Sequence, residues 1–167
     1  FKIGFIMKRL LKIFFIILAL ISFTPDELLS ASSVTEINVG LNPYSVAIDR
    51  TLKKAVITNS GDGSVSIIDL QNKTVIRTIT ISNTSPKGVA INFLTNKAVI
   101  ANERSNTVSI IDLNTDTLIT SIQVGRSPVG VAINPNTDRA VVTNKKDDTL
   151  TIIDLSLNTA LTLLKVG

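Results

Sequence analysis

The stretch Pro128-Val129-Gly130-Val131-Ala132-Ile133-Asn134, continued by Ala140-Val141-Val142-Thr143-Asn144 and Ile152-Ile153-Asp154-Leu155, decides the fold, because the chain writes it three times. Pro43, Pro86 and Pro128 recur at intervals of 43 and 42 residues. After each proline, at the same distance, come Val46-Ala47-Ile48, Val89-Ala90-Ile91 and Val131-Ala132-Ile133. Ala55 to Asn59, Ala98 to Asn102 and Ala140 to Asn144 follow in phase. So do Ile67-Ile68-Asp69-Leu70, Ile110-Ile111-Asp112-Leu113 and Ile152-Ile153-Asp154-Leu155. A period of this length marks an array in which each unit buries its apolar faces against its neighbours.

Each unit divides into four short segments rich in Val, Ile and Thr, separated by turn-formers. In the second copy the spacing predicts strands over 88–92, 97–102, 107–113 and 117–124. Ile110 and Ile111 are adjacent, so the third strand must bury side chains on both faces, as when sheet packs on sheet. The turns between second and third strands carry Asp62-Gly63, Ser105-Asn106 and Asp147-Asp148. Gly, Asn and Asp at the second position tolerate a left-handed backbone, so hairpin geometry explains these acidic loops better than calcium does. Four antiparallel strands per repeat is the pattern of a propeller blade.

These motifs, from Pro128 to Thr137, Val141 to Asn144 and Thr149 to Asp154, resemble the YVTN β-propeller repeat of YncE-like and surface-layer proteins. The likeness runs from Thr35 to Gly167. The tyrosine of the family name is Val56, Val99 and Val141 here. The resemblance implies an all-β fold, a partial β-propeller of three four-stranded antiparallel blades at about 43–82, 86–125 and 128–167. Thr35-Glu36-Ile37-Asn38-Val39-Gly40 matches Thr120-Ser121-Ile122-Gln123-Val124-Gly125, the end of a fourth strand, which predicts an N-terminal closure strand over 34–40. Three blades fall below the usual minimum of about four for a ring. The expectation is therefore a piece of a longer protein, with head-to-tail self-association through exposed blade edges as the alternative.

Ahead of the repeats, Met7-Lys8-Arg9-Leu10-Leu11-Lys12 gives a basic start, and Phe14 to Phe23 an apolar core too short to span a bilayer. Residues 1–31 read as a signal-peptide region, translated from Met7 and cut after Ala31 or Ser33, with 32–167 exported to the periplasm, cell surface or medium. Membrane contact is expected only through that segment.

The chain contains no cysteine and no histidine. Disulfides, thiolate chemistry, Ser-His-Asp catalysis and histidine-held zinc or haem therefore lie outside its means. From Ser32 onward 13 basic residues face 11 acidic ones, with no long basic run and few aromatics, which argues against nucleic acid as a partner. No catalytic residue, cofactor or metal site is expected. Asp69, Asp112 and Asp154, like Asn59, Asn102 and Asn144, occur once per repeat beside turns and read as structural hydrogen-bonding groups. Binding belongs instead to loop positions that differ between copies. These are Tyr44, Glu103, Arg104, Arg126, Lys145 and Lys146, where for example Arg104 aligns with Gly61 and Lys145 with Ser60. The functional expectation is a non-catalytic binding or scaffold module for a protein, peptide or glycan. A piece of a cofactor- or substrate-binding propeller enzyme, and a structural surface-layer component, are the alternatives.

Overall fold

A computed structural model describes residues 35–166. The signal-peptide reading of 1–31 lies outside the described residues. The fold occupies the unit 37–167 and is all-β. Twelve strands run β1 (Pro43–Asp49), β2 (Lys54–Asn59), β3 (Ser64–Asp69), β4 (Thr74–Thr80), β5 (Pro86–Asn92), β6 (Lys97–Asn102), β7 (Thr107–Asp112), β8 (Thr117–Gln123), β9 (Pro128–Asn134), β10 (Arg139–Asn144), β11 (Thr149–Asp154) and β12 (Thr159–Lys165). They form three separate antiparallel sheets ordered β1-β2-β3-β4, β5-β6-β7-β8 and β9-β10-β11-β12. This is a partial β-propeller of three blades.

The turns repeat as faithfully as the strands. Within each blade the last residue of each four-residue hairpin loop takes a left-handed backbone. These residues are Lys53, Gly63 and Lys73, then Asn96, Asn106 and Asp116, then Asp138, Asp148 and Asn158. Each follows its predecessor by ten residues, so the hairpins of a blade share one geometry. The Asp at the end of the third strand sets the turn that follows. Asp69 Oδ1 accepts from the backbone N–H groups of Gln71 and Asn72, Asp112 Oδ1 from that of Asn114, and Asp154 Oδ1 from those of Ser156 and Leu157. The recurring aspartates are turn-makers of the Asx kind.

Packing follows from the paired isoleucines. Val56, Val65 and Ile67 of the first blade meet Val89, Ala98, Ile100, Ile111 and Leu113 of the second in one core. A second core joins Val99, Ala101, Val108 and Ile110 to Ala140, Val142, Ile153 and Leu155 of the third. Ile110 and Ile111 are thus both fully buried, on opposite faces of the middle blade. Fully burying one such side chain contributes about 1.5–3 kcal/mol, so both cores hold blade to blade.

The rims are looser. Val46 and Ile48 on β1, and Leu161, Leu163 and Leu164 on β12, are all largely exposed. Every outermost strand carries a bulge at the same place. The ladder skips between Ile67 and Ile68, Ile110 and Ile111, and Ile152 and Ile153, leaving Ile76, Ile119 and Leu161 as the extra residues. Such bulges bend an edge away from further pairing. Residues 35–39, where a closure strand is expected, form no strand, and Gly40 is a bend. A single extended segment becomes a strand only when a ladder partner satisfies its backbone, and each sheet here already has its four members.

Candidate ligand-binding face

The antiparallel order of a blade sorts its loops onto two faces. One face carries the turns between first and second strands and between third and fourth. The other carries the turns 60–63, 103–106 and 145–148, together with the loops that lead into β1, β5 and β9. All six unlike positions singled out in the sequence fall on this second face.

Its scaffold is built by side chains that the repeat supplies. Asn102 Nδ2 donates to Thr107 Oγ1 at 3.1 Å and Ser109 Oγ at 2.8 Å, clamping the end of β6 to β7. Asn59 does the same to Ser64 and Ser66, and Asn144 to Thr149 and Thr151. The lead-in loops lie over these clamps. Gly125 sits so close to the Asn144 amide that a β-carbon would overlap it, and Gly40 bears the same relation to Asn59. Each lead-in loop is then tied to the hairpin it covers. Leu41 N–H donates to Asp62 Oδ2 at 2.8 Å, and the Arg126 N–H and Nε both donate to the Asp147 carboxylate.

These ties leave an electrostatic trace. The Arg126 backbone N–H, its guanidinium hydrogen bond and its charge hold the Asp147 carboxyl below the usual range. Burial works to raise Asp62, but the Ser64 hydroxyl and the N–H groups of Leu41 and Ser64 outweigh it and bring that carboxyl down too.

Four of the six unlike residues converge. Glu103 and Arg104 from the middle blade, and Arg126 and Lys146 from the third, line one cleft of about 500 Å³ with Ser85, Asn106 and Ser127. Lys145 lies apart, in a neighbouring depression beside Val129, Thr143 and Asp148. Tyr44 joins the group indirectly. It is the extra residue of a bulge in β1, where the pairing steps from Pro43 to Ser45, and Lys87 lies in the corresponding bulge of β5. Bulges of this kind re-aim a side chain. Here they set Lys87 Nζ 4.3 Å from the Tyr44 ring centre. Lys87 also pairs with Glu103 Oε2 at 3.5 Å, and Glu103 Oε1 accepts from the Ser127 hydroxyl at 3.2 Å. A polar chain therefore crosses all three blades, from Tyr44 through Lys87 and Glu103 to Ser127.

The opposite face holds residues that sequence reasoning missed. Lys54, at the start of β2, reaches into the next blade, where its ammonium donates to the Leu113 carbonyl at 2.7 Å and to both Asp116 oxygens at 2.8 Å. Lys97, one repeat later, makes the same reach to the Leu155 carbonyl and to Asn158. The signal was a basic residue at 54, 97 and 139, one per repeat directly before the Ala-Val pair, which reads as an ordinary solvated charge until the next blade is in place. Asn92 Nδ2 adds a third tie, to Asp138 of the following blade. Among the described residues no cluster of three or more Asp, Glu, His or Cys side chains is placed to hold a metal ion.

No family model matches the chain, and no curated protein does. Among solved structures it is similar to Kuenenia stuttgartiensis hydrazine synthase, at 21% identity and a TM-score of 0.69. The match covers 78% of this chain and 38% of that one, so this chain spans well under half of the protein it resembles. At that identity the likeness shows the fold alone. It places the three blades in a propeller arrangement and carries no chemistry across.

Proposed function

We propose that the chain is an exported, non-catalytic propeller module of the YVTN kind that binds a partner through the face carrying its unlike loops. The observation that carries this reading is the convergence of Glu103, Arg104, Arg126 and Lys146 on one cleft. Within a framework repeated almost residue for residue, these positions are free to differ, and they differ where two blades meet. Ligand sites form preferentially at such concave junctions. The basic and then apolar run at Met7 to Phe23 supports export, and the absence of histidine and cysteine from the chain supports binding without turnover.

The test compares the full chain with a variant whose cleft is returned to first-repeat residues, Glu103→Ser, Arg104→Gly and Arg126→Leu, on a printed array of peptides and glycans. Ligands bound by the parent and lost by the variant support the reading. Equal binding by both overturns it, because the partner then engages some other surface.

A further inference from the structure

The two junctions between blades offer a controlled comparison within one molecule. Where the first blade meets the second, the positions corresponding to the cleft are Asn42, Ser60, Gly61, Gly63, Thr84 and Ser85, with Arg104 as the single charge. Where the second meets the third, Glu103, Arg104, Arg126 and Lys146 stand on the same backbone. Three lining cations stand against one lining carboxylate, Glu103, and the Asp147 carboxylate beside Arg126, a net positive set that the fold does not require, since the first junction forms without it.

The charges in this cleft are also unequally engaged. Glu103 is already committed to Lys87 and the Ser127 hydroxyl. Asp147 meets Arg126 only through the backbone N–H and Nε, which leaves both terminal guanidinium nitrogens without a partner among the described residues. Arg104 and Lys146 have no ion-pair partner among the described residues. Guanidinium groups present donors in a fixed fork suited to a planar or tetrahedral oxyanion, and a lysine adds a movable charge. Ser85, Asn106 and Ser127 line the same cleft and supply neutral hydrogen-bonding groups for the rest of a ligand.

We infer that the cleft between the second and third blades is an oxyanion site, taking a small ligand that carries carboxylate or phosphate groups through Arg104, Arg126 and Lys146. This rests on the loop face being the binding face and names the chemistry of what it binds. Glu103 tunes the site. Its carboxylate repels an anion, while its pairing with Lys87 keeps that lysine from competing for the ligand.

The experiment follows backbone amide shifts of the full chain by NMR during titration with citrate and, separately, with pyrophosphate, at constant ionic strength. Saturable shifts confined to residues 103–106, 126–127 and 146 are expected for at least one probe, and the better probe separates carboxylate from phosphate as the source of the anion. Arg104→Gln weakens that binding about tenfold, the range of one charge-assisted contact. Lys145→Gln, in the neighbouring depression, changes it less than about twofold, and Glu103→Gln strengthens it. Shifts that never saturate, or binding that Arg104→Gln leaves intact, overturn the assignment. A neutral ligand found on the array and lost with the cleft variant, alongside silence toward both anions, sinks the oxyanion site while leaving the loop-face reading standing.

Discussion

The two faces of this molecule are made by the same repeat and treat charge in opposite ways. On the face of the β1–β2 and β3–β4 turns, Lys54 and Lys97 are drawn into the following blade, and each ends on a carbonyl that no other side chain serves. On the other face Arg104, Arg126, Lys145 and Lys146 stand outward, and only Arg126 is tied, to a carboxylate on its own blade. The difference lies in burial and partnership. Lys54 and Asp116 are each less than a fifth exposed, so their attraction is weakly screened and their loss would leave a charge without water. The Arg126 side chain is 70% exposed, where water takes most of the energy of its pair. One face uses its lysines to fasten blade to blade, whereas the other engages Lys87 and Glu103 across blades and leaves Arg104, Lys145 and Lys146 without an ion-pair partner among the described residues.

The sharpest way to break that comparison is to remove the fastening. Lys54→Ala strands the Asp116 carboxylate and the Leu113 carbonyl together, and should lower unfolding free energy by about 2–3 kcal/mol. Lys97→Ala frees a carbonyl and an amide oxygen but no carboxylate, so about half that loss is expected. Arg139, the third residue of the series, has no following blade among the described residues, and Arg139→Ala should stay within about 0.5 kcal/mol. Urea titration of the three variants gives the order directly. Equal losses would mean that the lysines act through their own blades instead of the next.

The loop face has a fastening of its own, one layer below the charges. Asn102→Ala takes the shared amide donor from the half-buried Thr107 hydroxyl and the buried Ser109 hydroxyl, which keep Ser105 and Ser121 as partners, and should cost about 0.5–1.5 kcal/mol in the same titration. If the cost is negligible, the lead-in loops and not the asparagines hold this face.

Much of this was legible in the sequence, for reasons that differ by feature. The blades could be drawn to within a few residues because apolar alternation and left-handed turn residues repeat at fixed spacing, and Gly63, Asn106 and Asp148 do adopt that backbone. Burial of both Ile110 and Ile111 followed from their adjacency. The unlike loop residues could be named, since difference against a repeat is visible in one dimension. Their meeting could not, because the cleft joins a hairpin of one blade to the lead-in loop of the next. The inter-blade lysines were invisible for the same reason, as Lys54 finds Asp116 across 62 residues. Thr35 to Gly40 matches Thr120 to Gly125 at four of six positions, yet 35–39 form no strand here, because strand identity resides in the ladder and not in the segment.

Two smaller effects sharpen the contrast on the fastening face and across both. Lys53 and Lys73 hold left-handed backbone without the glycine or asparagine that suits it. Lys53→Gly relieves that strain at some cost in unfolded-chain entropy, and should stabilise by about 0.5–1 kcal/mol, raising the thermal midpoint by a few degrees. Acid should act on both faces alike. Asp62 and Asp147 on one, and Asp69 and Asp154 on the other, all titrate below their unfolded value. Their contribution is therefore fully present above about pH 4 and is lost as pH falls through the lower folded-state values. Stability measured against pH should be flat from neutrality to about pH 4 and fall below it. A decline beginning near pH 6 would contradict those assignments, since nothing in the chain carries an imidazole.

The smallest expected effect bears most on function. Arg104→Gln with Lys146→Gln removes two of the three cations from the cleft, both at exposed positions with no ion-pair partner among the described residues. The first repeat forms the same hairpin with an uncharged residue, Gly61, at the position of Arg104, so the turn does not depend on the charge. Thermal and urea midpoints should stay within about 0.5 kcal/mol of the parent, as for other surface substitutions remote from special features. A loss as large as that of Lys54→Ala would place these residues among the fasteners and erase the distinction between the faces. Unchanged stability together with lost anion binding is the result that separates them, because a side chain that contributes nothing to holding the fold and everything to a ligand is one the repeat was free to vary.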